Sequence, residues 1–324
     1  MNKGGWKHLN KMWWMVLFIS IVSVTATLLT QMVYKFIGYT IDYGLNYTGK
    51  NYSGALNFLF DGSLGEYGSY KLTVWLSVIM FVIVAVEALL KYYLNYLQMK
   101  AQYTGSHYIR KDVFYKIKNK KAPYSQGSMV NLYLDDLYQH GSVYFYQIPG
   151  IVVTIVTTIF CLLLLNQISP LLLIAPIGLS PLLIYFSIKY HKEIYDKNLS
   201  YREMDGELKN SVDNALFSDD VEKFDEFKRV NKRHTKERKI VSHVPNKYNL
   251  ILNAIKVVIY MTCCTIAGVL AIKGKVLIGE YLIFTKFVNT IYTQILSFIS
   301  YLINIRAALP KLQKVDKILE VGNE

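Results

Sequence analysis

Six long apolar segments, divided by two long charged ones, leave this chain few folds to choose from. The apolar runs are Met12–Phe36, Thr73–Leu97, Tyr144–Gln167, Pro170–Ile188, Tyr248–Ile272 and Val276–Ile305. Each is near or above the ~20 residues a helix needs to cross a bilayer core. Inside lipid every backbone amide needs a partner, so only helices and closed barrels span it. Alternation with period two is absent, which selects helices. The expected fold class is an all-α membrane protein with six transmembrane helices and long cytoplasmic helical extensions.

Charge orients the helices. The chain is 52% hydrophobic with mean hydropathy +0.23, yet carries a net charge of +13. Of its 36 Lys and Arg, 3 precede the first apolar run, 7 lie in 98–144, 14 in 189–247 and 4 in 306–324. The opposite side holds only Lys50, Lys71, Lys273 and Lys275. Basic loops stay in the cytoplasm, so both termini and both long loops belong there and the protein is expected in the plasma membrane. Nucleic acid is excluded as a partner. Segment 189–247 also carries 12 acidic residues and is nearly neutral, whereas a nucleic-acid surface needs net positive charge. The bias to Lys, Asn, Ile and Tyr points to an AT-rich bacterial genome. The first apolar run is too long for a signal-peptide core and is expected to stay as an anchor.

Connections on the outer side differ in length. Gly38–Leu72 is rich in Gly, Asn and Tyr and reads as a partly ordered external loop. Ile168–Pro170 and Lys273–Lys275 are short and make tight antiparallel helix pairs. On the inner side, 98–120 keeps Tyr103, His107, Ile109, Val113, Phe114 and Ile117 at helical spacing. Segment 208–230 does the same with Leu208, Val212, Leu216, Val221, Phe224 and Phe227. Each inner segment is therefore expected to form a helical hairpin. The turns fall near Pro123–Val130 and Asn210–Asp220.

Ionisable and polar residues inside spanning helices cost energy, so they face a partner or a wet cavity. Glu87, Lys91 and Asn95 share one face of the second helix. Lys286, Asn289, Thr290, Thr293 and Ser297 form a stripe on the sixth. Asn249, Asn253, Lys256 and Tyr260 form another on the fifth, and the first offers Thr27, Thr30 and Gln31. The candidate lining of a wet cavity is Glu87, Lys91, Lys286, Asn289, Thr293, Gln31 and Lys256. Glu87 and Lys286 would contact substrate or each other. The static alternative pairs Glu87 with Lys91 one turn away.

Catalytic chemistry finds no support. The six His show no ligand spacing, so no metal site is expected. Cys161, Cys263 and Cys264 lie in apolar runs and read as small packing residues. No Ser/His/Asp or Cys/His set shares one plausible pocket.

Four short stretches, Pro123–Asp136, Asp213–Phe224, Gly274–Phe284 and Lys314–Leu319, resemble the transmembrane domain of type I ATP-binding-cassette exporters. Pro123, Gly127-Ser128-Met129-Val130-Asn131 and Asp135-Asp136 resemble the family's first inner-loop motif, with Leu132 where Arg is expected. Asp213, Val221 and Phe224 match the second, with Phe217 in place of Gly and Glu222 in place of Lys. Gly274-Lys275-Val276-Leu277-Ile278-Gly279 with Phe284 resembles the entry to the sixth helix, with Leu277 in place of Thr. The tail Lys314-Val315…Ile318-Leu319 resembles the lead into a nucleotide-binding domain. The resemblance covers residues 1–320 and implies a domain-swapped dimer, with a second copy or a paralogue.

It also implies that each inner loop ends in a coupling helix that docks on an ATPase domain. By position these are Gln126, Gly127, Ser128, Met129, Val130 and Asn131, then Asp213, Asn214, Ala215, Leu216 and Phe217 within Asp213–Asp219. No Gly-x4-Gly-Lys-(Ser/Thr) loop occurs, so this chain is not itself an ATPase. ATP and Mg would sit on a separate or continuing domain, with no cofactor in this chain. The expected function is the membrane subunit of an ATP-driven exporter, in contact with lipid. A cavity with aromatic and few charged residues suits a peptide, a lipid or an amphipathic compound. A second reading stays open: a motor-less scaffold or immunity-type binding protein on the same fold.

Overall fold

The computed structural model describes residues 4–45, 69–120, 137–216 and 221–320, and these are helical apart from short joints. Six helices follow one another: α1 (Gly4–Tyr39), α2 (Ser69–Lys120), α3 (Leu137–Ile168), α4 (Pro170–Leu216), α5 (Val221–Ile272) and α6 (Ile278–Glu320). All six are long and apolar enough to cross a membrane. The protein is therefore an all-α, multi-pass membrane protein.

Local chemistry explains the joints. Ser169 is extended, as steric conflict with the following proline ring requires, and Pro170 opens α4 where its missing N–H costs nothing. The other joint is a Schellman turn. Gly274 has φ +67°, its N–H donates to the Ala271 carbonyl at 2.9 Å, and the Lys275 N–H donates to Leu270 at 3.0 Å.

The helices outrun the bilayer. At ~1.5 Å per residue, the 47 residues of α4 and the 52 of α5 extend about 70 and 80 Å. Helical continuation beyond the apolar runs is thus as the amphipathic pattern predicts. Pro245 lies inside α5 near the start of its apolar half and removes one backbone hydrogen bond there.

The chain divides into two compact units. The first comprises Met1–Gly178 and Tyr260–Glu324. Within it α1 packs on α2, α3 and α6, and α3 packs on α6. Its helices show large apolar side chains outward, among them Trp14, Phe81, Leu89 and Ile159. That pattern suits lipid and would be a liability in water. The second unit is Leu179–Ile259. There the rings of Tyr190 and Tyr248 stack with centroids 4.7 Å apart, and Tyr201 packs on His234 at 5.0 Å.

Two expectations are corrected. The external loop does not begin at Gly38: α1 runs to Tyr39 and continues as a wide π-helical turn over Thr40–Leu45. The packed face of α2 beyond the apolar run also differs. Ile109 and Val113 are buried as expected, but Tyr103, His107 and Phe114 are exposed, and Gln102, Gly105 and Ser106 are buried in their place. Small residues are needed there because a Cβ on Gly105 would lie 3.0 Å from the Phe145 ring.

Candidate functional site

Helix α1 organises the polar groups of the first unit. Hydroxyls on an apolar helix satisfy themselves on the carbonyl four residues back, as Ser23 does on Ile19 at 2.6 Å and Thr27 on Ser23 at 2.8 Å. Thr30 does more. Its hydroxyl donates to Glu87 Oε1 on α2 at 2.7 Å, closer than its own contact with the Ala26 carbonyl at 3.2 Å. The same carboxylate oxygen accepts from Lys91 Nζ one turn along α2. Glu87 is half-buried, whereas Lys91 is exposed. The structure therefore forms the Glu87–Lys91 pair within α2. Glu87 thus meets Thr30 and Lys91, while Lys286 meets the Tyr34 ring, and no ion pair between Glu87 and Lys286 occurs among the described residues.

The next α1 residue, Gln31, is buried and joins three helices. Its Oε1 accepts from Thr290 on α6 at 3.4 Å and from the Cys161 thiol on α3 at 3.8 Å. Both contacts are long, so their strength is modest, but they give a buried amide oxygen its partners. One turn on, Tyr34 presents its ring to Lys286 Nζ at 5.6 Å from the centroid. The order Thr30, Gln31, Tyr34 thus ties α1 in turn to α2, α3 and α6.

Helix α6 carries the polar stripe. Lys286, Asn289 and Thr293 are exposed and share one face. On the opposite face Phe284, Phe287, Val288, Ile291 and Tyr292 are buried. Tyr292 anchors this face: its hydroxyl reaches the Pro176 carbonyl of α4 at 3.4 Å and the Cys263 sulfur of α5 at 3.3 Å. On α1 and α2 the outward residues include the large apolar Trp14, Ile21, Phe81 and Leu89.

A second constellation lies where α1 meets the start of α6. The π-helical turn after Tyr39 carries Asp42 into a buried position. Its carboxylate accepts the backbone N–H of Gly279 at 2.6 Å and of Glu280 at 3.1 Å. These are two of the four N–H groups that a helix start leaves without intrahelical partners. Leu277 just precedes α6 and has no side-chain acceptor, so Asp42 supplies the cap from another helix. Glu280 completes it by accepting the Leu277 N–H at 2.8 Å. Beside this junction is a cavity of about 90 Å³ lined in part by Lys35, Tyr39, Asp42, Gln167 and Glu280. Lys35 Nζ sits over the Tyr39 ring at 5.7 Å.

The remaining expected residues lie elsewhere. Lys256 is half-buried on α5 in the second unit, with Asn249 and Asn253 exposed on the same helix. Asp213, Asn214, Ala215 and Leu216 form the last turn of α4, continuous with it, and Leu216 is 72% exposed. Val221 and Phe224, which open α5, are exposed as well. Gln126, Gly127, Ser128, Met129, Val130, Asn131 and Phe217 lie outside the described residues. No cluster of His, Cys, Asp or Glu able to hold a metal occurs among the described residues.

Reading the sequence missed Asp42 and Tyr34, whereas Cys161 is buried as the packing residue expected. The one local signal for Asp42 was a helix start at Leu277 with no Ser, Thr, Asn or Asp to cap it. No protein-family model matches the chain, and comparison with curated proteins returns no match.

Proposed function

We propose that this chain is the membrane-spanning subunit of an ATP-driven exporter of the ATP-binding-cassette type. The observation that carries the reading is the outward polar stripe of α6. A face bearing Lys286, Asn289 and Thr293 cannot rest in hydrocarbon without a penalty of roughly 2.5–3.5 kcal/mol for the lysine alone. Such a face needs water or a polar partner, which a translocation pathway between two copies of the chain supplies. Tyr34 borders the same face from α1, with its ring against Lys286.

Coupling is read from the far end of the long helices. Leu216, Val221 and Phe224 flank the link between α4 and α5 and leave apolar surface uncovered. An ATPase domain docked there would bury it, and the length of α4 and α5 would carry its motion to the membrane. The positive-inside rule puts that end in the cytoplasm, where ATP is available.

The test is a mild-detergent pull-down of the chain from its native membranes, read as co-purifying vanadate-sensitive ATPase activity. An associated ATPase, lost on Leu216→Asp with Val221→Asp, is the expected result. A chain that purifies without ATPase activity overturns the reading in favour of a motor-less scaffold. With an ATPase and a transported compound in hand, Lys286→Ala and Glu87→Ala separate the two polar sites. Lys286→Ala is expected to slow transport, and Glu87→Ala to act mainly on stability.

A further inference from the structure

In the first unit the carboxylates of the apolar runs are hydrogen-bonded, whereas Lys286 rests on an aromatic ring. Within its apolar runs and the turn that closes α1, three carboxylates occur: Asp42, Glu87 and Glu280. Asp42 accepts two α6 N–H groups, Glu280 accepts the Leu277 N–H, and Glu87 accepts from Thr30 and Lys91. Lys35 and Lys286 rest instead on the rings of Tyr39 and Tyr34. Neither is joined to a carboxylate in an ion pair among the described residues. A cation over an aromatic face keeps most of its charge and is held in place. Beside Lys286 on the same exposed face stands the amide of Asn289, whose NH2 group can donate to an anion.

From this we propose that the pathway takes an amphiphile whose head group is anionic, with Lys286 as the residue that receives it. The inference rests on the exporter reading above and names the substrate class of that same site. An anionic head would find Lys286 already held over Tyr34. A cationic head would be repelled by the Lys286 ammonium, which forms no ion pair with a carboxylate among the described residues. The apolar tail would lie along the aromatic and aliphatic residues that border the stripe.

The experiment uses the full chain with Asn289→Cys in phosphatidylcholine nanodiscs. Reaction with N-ethylmaleimide is followed by mass on the peptide bearing residue 289, since Cys161, Cys263 and Cys264 are buried. Protection is measured with dodecyl phosphate and with dodecyltrimethylammonium, which share a tail and differ in charge. Dodecyl phosphate is expected to protect at a concentration about tenfold lower, a preference that Lys286→Gln abolishes. If the introduced thiol does not react, it is not in water, and the pathway reading falls together with this one. If it reacts but the two compounds protect equally, or the ammonium protects better, the anionic class alone is overturned. The comparison of compounds stands without the Lys286 variant. A preference that survives Lys286→Gln also overturns the assignment.

Discussion

The Asp42 carboxylate caps α6 through the N–H of Gly279, 237 residues along the chain, at 2.6 Å. The contact is buried, and it joins the end of α1 to the start of α6 at the one place where α6 lacks a cap of its own. The junction is a tertiary helix cap, and its cost of removal follows from capping energetics.

Asp42→Ala is expected to destabilise the protein by about 1–2 kcal/mol, the upper range for a lost N-cap. Asp42→Asn keeps one acceptor oxygen and should recover roughly half of that. Thermal unfolding of the purified protein in one detergent ranks the three. Equal stability of the alanine variant and the parent would remove the cap from the account.

Close backbone approach accompanies the cap. A Cβ on Gly279 would overlap the Gly38 carbonyl oxygen and the Asp42 carboxylate, whereas one on Gly268 would stop 3.8 Å from the Tyr281 ring. Gly279→Ala should therefore cost about 1–3 kcal/mol, as overpacking against backbone does, while Gly268→Ala is near neutral. Comparing their unfolding temperatures checks the contrast, and similar losses at both would count against the α1–α6 contact.

Gly274 isolates backbone strain from packing. Its φ is +67° and an added Cβ there meets nothing within 4 Å. Gly274→Ala should lose about 1 kcal/mol from conformation alone, and Gly274→Asn less, since Asn tolerates the left-handed region. The order Gly, Asn, Ala in stability is the measurement. Any other order points to a contact made by the turn.

Tyr292 tests the buried anchor of α6. Tyr292→Phe removes only the hydroxyl that meets Pro176 and Cys263, and is expected to cost about 0.5–1.5 kcal/mol. Tyr292→Ala empties a fully buried site and should cost about 3–5 kcal/mol. A phenylalanine variant as damaged as the alanine one would mean that the hydroxyl, and not the ring, holds α4, α5 and α6 together.

Glu87 and Lys91 form a pair that a mutant cycle resolves. Their spacing of four and the exposure of Lys91 predict a coupling of about 0.3–1 kcal/mol, weakened by salt at the exposed end. Glu87→Gln should harm more than Lys91→Gln, because Thr30 also loses its carboxylate partner. Unfolding of the two single variants and the double gives the coupling, and a value near zero would reduce the contact to chance proximity.

Residue order alone was enough for the six spanning helices, the continuation of α2, α4, α5 and α6 beyond the apolar runs, and the Glu87–Lys91 spacing. These depend on hydropathy and on the helix repeat, which act between residues near in the chain. It was not enough for the Asp42 cap, the Gln31 junction of α1, α3 and α6, or the resting of Lys286 on Tyr34. Those pair residues more than a hundred positions apart, and their partners depend on which helix faces which. The face of α6 shows the division most clearly. Periodicity placed Lys286, Asn289 and Thr293 on one side of a helix. Only the packing of Phe284, Phe287 and Tyr292 into the bundle turned that side outward, because burying the aromatic face releases more free energy than burying a lysine could.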